Sequence, residues 1–257
     1  MEFEGFHVSR DNNIYLAKIC EQTERFEDML DHMKKVAYLD QELSIDERNL
    51  LTLAYHMVIS ARRTALRVTN RTQTLEEAKN SKYLPLLRDY KEKIEKELNK
   101  YCDDYIELMD NRLIPLAKDN HISKVFFLST KGSILGLKVE FSNSESYNTY
   151  LDAAWQSFES ALQVGRENLH PRKPQYLQAL LNTTTFLVTH KKDKSVPIAL
   201  MRKAIEEADQ YLQDHPVDPI EANSEHRDSV DILTILSQTL QLLLDGEGEN
   251  AQTTEED

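Results

Sequence analysis

Glycine and proline are scarce in this 257-residue chain, at 6 and 7. Domains built from many short strands need far more of both for their turns. That class is excluded, and long helices with few connections are favoured. Cysteine is scarcer still: Cys20 and Cys102 are the two. Two thiols make no disulfide framework. They fit a reducing compartment, the cytoplasm with the nucleus also open. No run of about 18 apolar residues occurs, so no membrane span is expected. The stretch Met1 to Arg10 lacks the apolar core of a signal peptide. Basic charge is in deficit too, with 31 Lys and Arg against 44 Asp and Glu, a formal net charge of -13. Such a surface repels nucleic-acid and anionic-lipid phosphates at long range, so neither is an expected partner. A local basic patch can still hold one phosphate group.

What is present is helical periodicity, nearly end to end. Short helices are expected over Ile14 to Gln22 and Arg25 to Leu39. Ser44 followed by Glu47 is a capping box, which satisfies free N–H groups at a helix start. A long helix follows to about Thr72, and a second from Tyr83 to Leu113, with Pro85 tolerable in its first turn. The second half continues with helices over His121–Glu140, Glu145–Asn168, Gln175–His190, Val196–Asp214 and Glu225–Leu244. Nine helices with mostly short connections make an all-α fold of antiparallel neighbours. The expected domain runs from residue 1 to 245. Residues 246–257, acidic and without a large apolar side chain, read as a disordered tail.

The helix after Ser44 carries the chemistry. At 100° per residue His56, Arg63 and Arg67 fall within about 40° of one another, and Ser60 lies beside them. Like-charged arginines repel unless an anion sits between them, and a guanidinium fork matches phosphate oxygens. A solvated basic face, or arginines paired with local acids, is the alternative that spacing alone leaves open. No catalytic constellation appears. Glu167-Asn168-Leu169-His170 is a lone Glu-x-x-His without the second copy that a di-iron bundle needs, so no metal or cofactor is expected. Trp155 reads as a core residue.

The blocks Glu42-Leu43-Ser44, Glu47-Arg48-Asn49-Leu50-Leu51, Ala54-Tyr55 and Ala61-Arg62-Arg63 with Arg67 resemble the third-helix signature of the 14-3-3 family. The likeness continues through Tyr90-Lys91-Glu92-Lys93-Ile94-Glu95 and Ser123-Lys124-Val125-Phe126-Phe127-Leu128, covering roughly residues 14–132. It implies a nine-helix, cup-shaped homodimer that is an adaptor rather than an enzyme. Its groove would bind phosphoserine or phosphothreonine segments of client proteins.

Carried over residue by residue, Arg63 and Arg67 match two phosphate-binding arginines, with His56 in place of a groove lysine. Asn182 matches the asparagine that holds the client backbone, and Leu181, Ile232 and Ile235 match apolar groove positions. Ser129 replaces a second groove lysine, and Thr239 a second backbone-clamping asparagine. Thr189 and Leu243 depart from a glutamate and a tryptophan. Gly136-Leu137 stands where the family completes its phosphate pocket with an Arg-Tyr pair. Lys131 or Lys138 replaces that arginine only if the fifth helix is rotated or irregular, and its two glycines leave room for irregularity. The dimer signature is better kept. Arg25 with Glu97, and Asp28 with Lys93, match cross-subunit ion pairs, while Ile19, Ala65 and Tyr90 match interface contacts. The expected partners are phosphorylated clients, a second copy, or another 14-3-3 chain. The competing function is a helical scaffold whose altered groove takes unphosphorylated segments or its own tail.

Overall fold

The computed structural model describes residues 9–190, 194–216 and 223–253, the side chains of 246–253 excepted. Among these residues there are nine helices of twelve residues or more and no strand. They form two compact units, one ending at Leu116 and the other beginning at Ala117.

The first unit holds α1 (Arg10–Gln22), α2 (Phe26–Ala37), α3 (Ile45–Ala78) and α4 (Leu84–Leu108). The capping box forms as expected: Ser44 Oγ accepts from the Glu47 N–H, and the Ser44 N–H donates to Glu47. Pro85 lies in the first turn of α4. That helix continues through a π-helical turn (Met109–Leu113) and a last α-turn (Ile114–Ala117). Glycine being scarce, the left-handed residues that follow α1, α3 and this last turn are Glu24, Asn80 and Lys118. The core is sealed by Met29, Met33, Leu51 and Leu66, none of them exposed. Tyr55 of α3 stacks on Tyr105 of α4, ring centres 3.9 Å apart. Tyr55 donates to Asp104 at 2.6 Å, and Lys34 of α2 reaches the same carboxylate at 2.5 Å. One acid thereby links three helices. Burial, with that bond, holds the Tyr55 phenol far above its usual range, and burial pushes Tyr105 up to about 12.

The second unit holds α5 (His121–Phe141), α6 (Tyr147–Asn168), α7 (Pro174–His190), α8 (Ser195–Asp214) and α9 (Ser224–Thr253). Helix α7 is the hub: α5, α6, α8 and α9 all pack on it. Leu177, Leu180, Met201 and Leu236 centre the core.

Two expectations are corrected here. Helix α5 runs unbroken through both of its glycines, because their missing side chains make room for rings. A Cβ at Gly132 would come within 2.8 Å of the Phe158 ring, and one at Gly136 within 3.1 Å of Phe186. Helix α9 does not stop at Asp245-Gly246 but continues to Thr253. A glycine inside a helix costs only about 1 kcal/mol, and the intervening Glu, Gln and Ala are good helix formers. Of the expected tail, residues 254–257 lie outside the described ones.

Candidate functional site

In the first unit the basic face of α3 forms as the spacing requires. His56 and Arg67 are exposed and Arg63 is half-buried. Ser60 Oγ lies 3.5 Å from His56 Nε2, so imidazole and hydroxyl are neighbours one helical turn apart. A residue missing from the sequence-based set is Arg62. It turns away from that face, bonds Glu27 of α2 at 2.5 Å and Glu97 of α4 at 3.3 Å, and lies over the Tyr101 ring. Arg62 holds the Glu27 carboxyl below its usual range.

The dimer candidates occupy one unit and remain at its surface. Ile19, Arg25, Tyr90 and Lys93 are exposed, and Asp28, Ala65 and Glu97 are half-buried. Within the chain Arg25 pairs with Asp28 at the start of α2, and Glu97 with Arg62. Tyr15 and Leu16 on α1, with Tyr83 at the N-cap of α4 and Leu86 on that helix, add exposed apolar surface beside Ile19 and Tyr90.

In the second unit Ser129 of α5 and Asn182 of α7 come together. Asn182 Nδ2 donates to Ser129 Oγ at 3.0 Å, and Asn182 Oδ1 accepts from Gln178 at 2.9 Å. Each end of the carboxamide thus keeps one hydrogen-bonding position unused by these two bonds. Gln178 was not among the sequence-based candidates; its four-residue spacing from Asn182 on a helix was the available signal. Leu181, Ile232 and Leu243 are half-buried against the core, and Ile235 is exposed. Thr239 is half-buried, its hydroxyl turned back to the Ile235 carbonyl, and Thr189 likewise bonds Thr185.

Comparison with known proteins bears on both units. The family model for 14-3-3 proteins matches residues 16–243. A 14-3-3 protein homolog of Trichoderma harzianum is 35% identical over 243 residues, 94% of this chain and 90% of that one. The Entamoeba histolytica protein named 14-3-3 protein 3 is 33% identical, covering 91% of this chain and 95% of its own. Schizosaccharomyces pombe rad24, a checkpoint signal transducer by name, is 34% identical over 91% and 85%. The chain belongs to the 14-3-3 family.

The family match makes the departures informative. At Gly136 there is neither cation nor room for one without movement, since Phe186 lies against it. Lys138 does not replace it. It is buried, with Nζ 4.6 Å from the Tyr150 ring centre. Leu137 is half-buried and carries no hydroxyl. Trp155, expected in the core, is half-buried on α6 instead. Among the described residues no group of three metal-ligating side chains forms, and no helix is long and apolar enough to cross a membrane.

Proposed function

We propose that this 14-3-3 protein is a dimeric cytoplasmic adaptor for phosphoserine- or phosphothreonine-containing client segments. The observation that carries the reading is the α3 face, where His56, Ser60, Arg63 and Arg67 share one side of the helix. Two guanidiniums and an imidazole suit a phosphate monoester. In the second unit by itself, Asn182 offers a donor and an acceptor to a peptide backbone, and Leu181, Ile232 and Ile235 supply apolar surface.

Gly136 and Leu137 favour a second reading. Without the pair that the family carries there, the affinity gained from phosphate is reduced. Each charge-assisted hydrogen bond contributes about 1.5–3 kcal/mol, so one lost arginine weakens binding roughly ten- to a hundredfold. In this reading the dimer persists as a scaffold, or as the partner of another 14-3-3 chain, and takes unphosphorylated segments.

A fluorescent phosphoserine peptide library, titrated against its dephosphorylated copy with the full chain, separates the two. Phosphate-dependent binding at micromolar concentration that disappears in Arg63→Glu is the expected result. Equal affinity for both libraries, unchanged in Arg63→Glu, establishes the scaffold instead.

A further inference from the structure

We propose that a pocket on the second unit, lined by α6 and α8, binds an organic ammonium group carried on an apolar stem. Its volume is about 590 Å³, inside the range of roughly 300–1,000 Å³ that ligand sites occupy. None of its residues is among the phosphate, groove or dimer positions discussed above.

The apolar part is built from both helices. Leu162 of α6, 4% exposed, is the most buried lining residue. Trp155 on α6 and Val196 and Leu200 on α8 complete it. Val196 is 48% exposed, an aliphatic surface with little covering it.

The charges on the lining select the ligand. Glu159 follows Trp155 by one turn of α6, so indole and carboxylate lie on the same helix face. Glu159 is exposed and takes part in no hydrogen bond or ion pair among the described residues. The second carboxylate is engaged. Glu167 accepts from Gln163 at 3.0 Å. Arg166 is the single base on the lining, set against the two carboxylates Glu159 and Glu167. A free carboxylate beside an indole is a pairing that recognises ammonium, the carboxylate by charge and the ring by its negative face. An anionic ligand would meet two glutamates and a chain of net charge -13. A neutral one would leave Glu159 unused.

The chain contains a single tryptophan, so its emission reports this pocket alone. The full chain is titrated at pH 7 with phenethylammonium, with 2-phenylethanol as the neutral ligand of the same stem, and with a capped lysine peptide against its norleucine copy. Expected is a saturable change in emission with a cation, at least tenfold weaker with its neutral counterpart. Binding should weaken five- to tenfold in Glu159→Gln, with helical circular dichroism unchanged. Tighter binding of the free amine marks a small-molecule site, and tighter binding of the peptide marks a lysine of a partner protein; both support the proposal. Equal response to charged and neutral ligands, unchanged affinity in Glu159→Gln, or no saturable response at all overturns it. The outcome is independent of the phosphopeptide experiment, which reads other residues.

Discussion

Arg10 of α1 grips Glu47 of α3 through two hydrogen bonds of 2.7 Å, one to each carboxylate oxygen. The same carboxylate accepts the Ser44 N–H at 2.7 Å, so one side chain both caps α3 and ties it to α1. The Arg10 bond, followed by those to Ser44, holds the Glu47 carboxyl below its ordinary range against the opposing effect of burial.

A depressed folded-state pKa means stability that is fully present above the unfolded value, near 4.3, and lost as pH falls through the folded value. At pH 7 Glu47→Gln should therefore lower unfolding stability by about 2 kcal/mol, measured by urea denaturation. Below about pH 4 the gap between parent and variant should close. A gap as large at pH 3 as at pH 7 would show that the ion pair is not its source.

Three helical glycines should respond to alanine in a set order. At Gly165 a Cβ would lie 2.3 Å from the Tyr176 ring, at Gly132 it would lie 2.8 Å from Phe158, and at Gly136 3.1 Å from Phe186. Alanine otherwise stabilises a helix by about 1 kcal/mol over glycine, whereas overpacking costs about 1–3 kcal/mol. Gly136→Ala should be nearly neutral, Gly132→Ala should lose about 1 kcal/mol, and Gly165→Ala the most. Denaturation midpoints that fail to follow this order would refute the packing account of these glycines.

Those glycines also mark where the sequence stops being legible. Helix starts were readable because they are local: Ser44 and Glu47 are three residues apart, and both bonds of their capping box form. The α3 face was readable for the same reason, as helical spacing fixes which side His56, Arg63 and Arg67 share. The role of Gly132 and Gly136 was not, because a glycine displays its backbone freedom while the ring that needs its space lies on another helix. The role of Arg62 is not legible for the same reason, since its partners Glu27 and Glu97 are 35 residues away on either side. Residue type alone puts Trp155 in the core, whereas its half-buried position depends on how α6 and α8 flank α7.

Restoring the pair that the family carries at Gly136-Leu137 should strengthen phosphate recognition by the proposed adaptor. At Gly136 the nearest Phe186 atom would be 3.1 Å from a new Cβ, so the ring must yield a few tenths of an ångström for that atom alone. The double variant Gly136→Arg, Leu137→Tyr adds a guanidinium and a phenol. Calorimetry should show phosphopeptide affinity rising at least tenfold, with affinity for the dephosphorylated peptide unchanged. Equal gains for both peptides would mean that the new side chains contact the client elsewhere than at its phosphate.

The proposed dimer should depend more on apolar contacts than on ion pairs. Exposed pairs contribute only about 0–1 kcal/mol, and here Arg25 and Asp28 already satisfy each other while Arg62 holds Glu97. A cross-subunit pair therefore replaces bonds that a free protomer already makes, and its net gain is smaller still. Tyr90, 55% exposed, and Ile19, 38% exposed, have no such internal substitute. Burying an apolar side chain of this kind contributes about 1.5–3 kcal/mol, and it would be buried twice in a symmetric pair. Sedimentation velocity should accordingly show Ile19→Asp and Tyr90→Asp as monomers at concentrations where Arg25→Ala and Lys93→Ala remain dimers. The reverse ranking would mean that the charged contacts dominate and that the exposed apolar faces of α1 and α4 lie outside the interface.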